Sequence, residues 1–169
     1  MKTTLSLICF TKNGAATATR LLNALGEDFV ATGFVRSRFS GDWKTENLTT
    51  WEGSLHDWTK EQFAKADCLV FVGACGIAVR AIAPFVADKL HDPAVVVIDE
   101  KGRFCIPLLS GHVGRANELA GYFAKILGAL PIITTATDLN GLFAVDVFAQ
   151  KNELGLTDRA KAKAISAAL

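Results

Sequence analysis

The chain has 169 residues, half of them hydrophobic, which suits one domain with a sizeable core and a small appendage. Eighteen basic against seventeen acidic residues leave a formal net charge of +1, which argues against a nucleic-acid binder, since those carry a basic excess or stripe. No apolar run approaches the roughly 20 residues of a membrane span, and the N-terminus lacks a signal-peptide cleavage region, so a soluble, cytoplasmic protein without a membrane partner is expected.

"TTLSLICF" is β-branched and apolar and predicts an opening strand. "TKNGAATATRLLNALG" follows as a helix, with Ala15, Thr19, Leu22 and Leu25 on one face and Gly26 as its stop. "FVATGFV" predicts a second strand. From Arg36 to Gly53 the chain is polar and irregular and reads as a long loop, whose Trp43 and Trp51 either cover a flat ligand or pack beneath it. "SLHDWTKEQFAKA" predicts a helix capped by Ser54, with Leu55, Trp58, Phe63 and Ala66 turned partly inward. "CLVFVG" has the composition of a strand buried on both faces, and "GIAVRAIAPFVADKL" that of a helix kinked or split at Pro84.

"AVVVIDEKGRFCIPLL" reads as two strands around a turn at Asp99–Gly102, so one strand is antiparallel, although periodicity does not say which. "VGRANELAGYFAKILG" places Val113, Ala116, Ala120, Phe123 and Leu127 on one helical stripe ending at Gly128, and "PIITT" is the last clear strand. The composition then shifts. Residues 1–139 are expected to form a layered, Rossmann-like α/β domain: a mostly parallel mixed sheet with helices on both faces. Residues 140–169 are expected to form a helical connector, the start of a middle region. The four cysteines, Cys9, Cys68, Cys75 and Cys105, show no CxxC and no zinc-like spacing with histidine, so reduced structural thiols and no protein-bound metal are expected.

Open α/β sheets bind ligands beyond the carboxyl ends of their strands. Four such ends, Thr11–Gly14, Gly73–Gly76, Ser110–His112 and Thr134–Asp138, are expected to converge on one rim. Gly73, Gly76, Gly111 and Gly114 would let the backbone approach a ligand closely. The chain has no GxGxxG after its first strand, no GxxxxGK[ST] and no GxSxG, which disfavours ordinary dinucleotide, P-loop and serine-hydrolase sites. His112 is the natural proton-transfer group, its unperturbed pKa being near 6.5. Ser110 is either a helix cap or part of the chemistry. Arg80 pairs with an anionic ligand or with a surface carboxylate. Asn117 can reach back to the loop, and Thr135, Thr137 and Asp138 either contact substrate or close the strand.

The ordered set "IAP", "DK-x-x-DPAVVV", "LLSGH-x-G-x-AN-x-LA" and "TTATD", from about Gly73 to Asp138, closely resembles the N-terminal domain of the cobalamin-biosynthesis CbiG family, the cobalt-precorrin-5A hydrolases. The first seventy residues match only in general pattern. The resemblance implies opening of the lactone between the ring A acetate and C20 of a cobalt macrocycle. The C20 fragment then leaves as acetaldehyde, giving cobalt-precorrin-5B. It implies a small-molecule cobalt-corrinoid substrate that carries its own cobalt, no separate cofactor, and a homodimer or other cobalamin-pathway enzymes as partners.

In those terms His112 activates water or takes the C20 hydroxyl proton. Backbone amides near Val113 and Gly114, with Ser110, stabilise an oxyanion or let Ser110 attack. Gly73, Gly76, Arg80, Gly111, Gly114, Asn117, Thr135, Thr137 and Asp138 bind substrate, helped by Lys89. The chain departs from the family at Arg115, where a second glycine is usual, and in the family's further C-terminal domain. The alternatives are a non-catalytic tetrapyrrole-binding or partner-docking module needing that domain, and an unrelated anion-binding α/β module.

Overall fold

Short apolar runs separated by amphipathic stretches can be buried only if helices cover both faces of a sheet. The computed structural model, which describes residues 2–36, 47–88 and 90–139, has this arrangement. In chain order its elements are β1 (Thr3–Cys9), α1 (Lys12–Ala24), β2 (Phe29–Arg36), β3 (Leu48–Trp51), α2 (Leu55–Phe63), β4 (Cys68–Val72) and α3 (Cys75–Ile82). There follow β5 (Ala94–Ile98), β6 (Phe104–Leu109), α4 (Ala116–Leu127), β7 (Leu130–Pro131) and α5 (Ala136–Leu139). The seven strands form one sheet in the order β3-β2-β1-β4-β5-β6-β7. Strands β1 to β5 pair in parallel, β6 is antiparallel to β5, and β7 runs parallel to β6. The reversed member of the hairpin is therefore β6, and β7 shares its direction.

Alternation along β1 divides the core. Leu5, Leu7 and Cys9 join α1 and α4 on one face, while Ile8 and Phe10 join α2 and α3 on the other. β4 and β5 are buried throughout, as expected of central strands covered on both sides. Full burial of side chains such as Phe71 or Phe123 stabilises the fold by roughly 1.5–3 kcal/mol each.

Four local expectations change. α1 buries Gly14, Ala15, Thr17, Ala18 and Leu21, a face turned from the Ala15–Thr19–Leu22 stripe, because small residues let the helix lie close to the sheet. Part of the anticipated long loop is β3, where "LTTW" pairs in parallel with β2 and the Trp51 ring meets Phe34 edge-on. α3 stops at Ile82 and gives way to a turn around Pro84: Ala83 keeps helical backbone, and the Phe85 and Val86 N–H groups donate to the Ile82 carbonyl at 2.8 and 3.2 Å. β7 has two residues; beyond it the Ile132 N–H, donating to the Cys105 carbonyl at 2.8 Å, extends the pairing. Trp43, Lys89 and the expected 140–169 connector lie outside the described residues.

The register creates two rims. Cys9, Val72, Ile98 and Cys105 lie side by side at one end of the sheet, the carboxyl rim of the parallel strands. Leu5, Cys68 and Ala94 align at the other end, the amino rim, where Leu109 faces Val95. Four steps of extended chain along β5 separate the two by about 13 Å.

Candidate functional site

Because β6 and β7 run against the other strands, the segments following them emerge on the amino rim. The β6–α4 connection is tightly wound. Ser110 and Arg115 both have left-handed backbone, at φ 57° and 64°. The Ser110 carbonyl accepts the Ala116 N–H (3.1 Å), the Gly111 carbonyl accepts Asn117 N–H (3.1 Å) and the His112 carbonyl accepts Arg115 N–H (2.9 Å). A Cβ on Gly114 would lie 2.4 Å from Ser110 Cβ and 2.8 Å from the Ser110 carbonyl oxygen, so only glycine closes this turn.

Ser110 does not cap α4 with its side chain. The helix begins six residues later, at Ala116, and the Ser110 hydroxyl donates to the Asp92 carbonyl at 3.0 Å, stapling the turn to the residues before β5. Arg115 occupies the cap position with no side-chain capping bond; its guanidinium pairs with Glu118 at 2.6 and 3.1 Å. The left-handed backbone there explains why glycine suits this position.

The turn carries His112 into a polar cluster. His112 Nε2 lies 3.0 Å from Asp138 Oδ2. Asn117, in the first turn of α4 and 8% exposed, donates through Nδ2 to Asp138 Oδ2 (2.7 Å) and to Thr135 Oγ1 (2.9 Å), and the Thr135 hydroxyl donates to Asp138 Oδ2. These bonds hold the Asp138 carboxyl below its usual range: Thr135's hydrogen bond is the largest cause, aided by those from His112 and Asn117 and opposed by partial desolvation. Asp138 is therefore ionised at neutral pH. The His112 side chain is 20% exposed and that of Asp138 42%, so the pair borders solvent. Gly111 packs against Asn117, where an added Cβ would approach Oδ1 to 2.9 Å.

Ser110, Gly111, His112, Gly114, Asn117, Thr135 and Asp138 are thus brought together; the Thr137 side chain lies outside the described atoms. Gly73, Gly76 and Arg80 are not part of this group. They follow β4 on the carboxyl rim, where Arg80 Nη1 donates to the Gly76 carbonyl at 3.2 Å. Their neighbours at that rim include Thr11, the side-chain cap of α1, whose hydroxyl also donates to Glu100 Oε2 at 2.8 Å. The expected single rim is therefore two, because β6 is reversed. Sequence reading did not find the His112–Asp138 contact, which joins residues 26 apart and has no periodic signature. Nor did it find Asp92 as the partner of Ser110; its carbonyl accepts the Ser110 hydroxyl, while its carboxylate accepts the Ala87 N–H at 3.0 Å.

Two hollows flank the cluster on the amino rim. One, of about 560 Å³, lies between Thr3, Phe29 and α4 residues including Asn117, Tyr122 and Lys125. The other, of about 360 Å³, is bordered by Asp67, Pro93, Val113 and Gly114. Arg115 and Leu119 line both. Among the described residues no group of three or more His, Cys, Asp or Glu side chains is placed to hold a metal, and no helix is long and apolar enough to cross a membrane.

Sheet order and direction define a Rossmann-like α/β domain, with a histidine–carboxylate cluster at the amino rim rather than the usual carboxyl edge. Residues 57–138, just under half of the chain, match the family described as Cobalamin synthesis G N-terminal, and this segment is similar to that family. It is 42% identical over 154 residues to a cobalt-precorrin-5A hydrolase from Salmonella typhimurium, covering 91% of this chain and 42% of the relative. It is 37% identical over 147 residues to the cobalt-precorrin-5A hydrolase of Priestia megaterium, covering 86% of this chain and 38% of the relative. The chain thus spans about two fifths of the length of these curated relatives. Among solved structures, a cobalamin biosynthesis protein G homologue from Sulfolobus solfataricus has the same fold, with a TM-score of 0.54 at 23% identity over 98% of this chain and 45% of that one.

Proposed function

We propose that this domain serves the hydrolysis of cobalt-precorrin-5A in the cytoplasm, with His112 as its acid–base group. The observation that carries the reading is the 42% identity over 154 residues with a protein named for that activity. The cluster around His112 supports it chemically. In the proposed reaction the imidazole takes a proton from water as the water oxygen bonds to the lactone carbonyl carbon. The carbonyl–oxygen bond then breaks and the departing alkoxide receives the proton. Loss of the resulting C20 hydroxyl proton lets a carbonyl form as the carbon–carbon bond breaks, the bonding electron pair passing to the conjugated macrocycle and acetaldehyde leaving. Cobalt arrives with the substrate, and no further cofactor enters the scheme.

Ser110 fits the role of turn-former better than that of nucleophile, since its hydroxyl is committed to the Asp92 carbonyl. Gly73, Gly76 and Arg80, on the other rim, fit substrate binding only if the macrocycle or a neighbouring domain reaches around the sheet. The chain's span of about two fifths of its relatives favours a second reading: a corrinoid-binding module completed by another domain. Both are tested by mixing the 169-residue chain with cobalt-precorrin-5A while recording acetaldehyde and the visible spectrum. Acetaldehyde release that is lost in His112→Ala supports hydrolysis. A spectral change without acetaldehyde supports the module, and no spectral change overturns both.

A further inference from the structure

We propose that Asp138 is the positioning residue for His112, and that Asn117 and Thr135 exist in this site to hold Asp138. The proposal rests on the hydrolase reading of the same site, but its first test does not. Its basis is the completeness of the donor and acceptor set. Asn117 has two amide hydrogens, and they meet Thr135 Oγ1 and Asp138 Oδ2. The Thr135 hydroxyl accepts one and donates its own hydrogen to Asp138 Oδ2. The same oxygen faces His112 Nε2 at 3.0 Å. An ionised carboxylate only accepts, so Nε2 carries the hydrogen and the imidazole's lone pair is on Nδ1.

An Asp at the surface needs no protein partners, because water solvates it. Here His112 from the turn and Asn117 from α4 join Thr135 of Asp138's own segment on one oxygen of a carboxylate that is 42% exposed. Asn117 is nearly buried, and Gly111 gives it room. The arrangement fixes the plane and tautomer of the ring that projects from the turn. When His112 gains a proton from water or from the C20 hydroxyl, the electron pair of the broken O–H bond stays with the oxygen. The imidazolium so formed keeps its Nε2–H on Asp138, whose negative charge favours it.

The test uses the 169-residue chain labelled with ¹⁵N-histidine. His112 is expected to show a slowly exchanging Nε2–H proton far downfield, unlike His56 and His91, whose side chains are 59% and 78% exposed. Asp138→Ala should abolish that signal and Thr135→Val should weaken it, with His56 and His91 unchanged as a check on folding. A wild-type spectrum without the signal, or one unaltered by either substitution, overturns the proposal whatever the activity. In turnover, Asp138→Asn should lower kcat roughly 100-fold with KM almost unchanged, and Asp138→Glu should recover part of the loss. Normal kcat in Asp138→Asn would also overturn it. If the signal behaves as expected and the wild-type chain releases no acetaldehyde, the positioning role stands and the hydrolase reading falls.

Discussion

Two non-glycine residues with left-handed backbone bracket the turn that presents His112, and each has a different compensation. Ser110 is held by its bond to the Asp92 carbonyl and by close packing against Gly114. The Arg115 side chain forms an exposed ion pair with Glu118, and such pairs contribute about 0–1 kcal/mol. Left-handed backbone costs an L-residue roughly 1–2 kcal/mol. Arg115→Gly and Arg115→Ala both lose the pair, but glycine relieves the backbone cost while alanine retains it. The glycine variant should therefore be more stable than the alanine variant by about 1 kcal/mol in urea denaturation. The reverse order would show that Arg115 is not left-handed in solution.

Among the elements, α2 depends most on one residue. Its start is set locally: the Ser54 hydroxyl accepts the Asp57 N–H at 3.0 Å. Its docking is set by Trp58, which is fully buried and meets Phe34 and Phe71 edge-on at 5.9 and 5.5 Å. Trp58→Ala should cost about 3–5 kcal/mol, read as a lower denaturation midpoint with α2 amides losing exchange protection first. Trp58→Phe should cost much less: it keeps most of the ring contact and removes an indole N–H that is buried without a hydrogen-bond partner among the described residues. Equal losses in the two variants would contradict this packing account.

Across the molecule, the thiols of Cys9, Cys68 and Cys105 lie in the cluster between the sheet and α1 and α4. Burial pushes the Cys9 and Cys105 thiols up to about 12 and raises Cys68 further. Unfolded thiols ionise near 8.5, so above that pH the unfolded chain releases protons that the folded one retains. Stability should thus be complete below about pH 8.5 and fall as pH rises toward 12. Native protein should label quickly at Cys75, which is partly exposed, and at the other three only as fast as it opens globally. Equal labelling of all four in native buffer would contradict the two-faced core.

Strand and helix identity was largely written in local pattern: "CLVFVG" read as a buried strand, "AVVVI" as one arm of a hairpin turning at Asp99–Gly102, and Ser54 as the cap that starts α2. Local pattern also nominated His112 as a proton-transfer group on a strand-end loop, with Asn117 one turn into the next helix and Asp138 at another strand end as contacts. It could not assign direction to β6, because a period of two is the same read either way. That direction puts His112 on the amino rim, away from Gly73, Gly76 and Arg80. Nor could it join His112 to Asp138, since that contact forms only when β7 follows β6 and carries the chain back past the start of α4. Periodicity reports which face a residue buries, whereas partners distant in the chain are chosen by sheet order and register, which depend on how every strand packs at once.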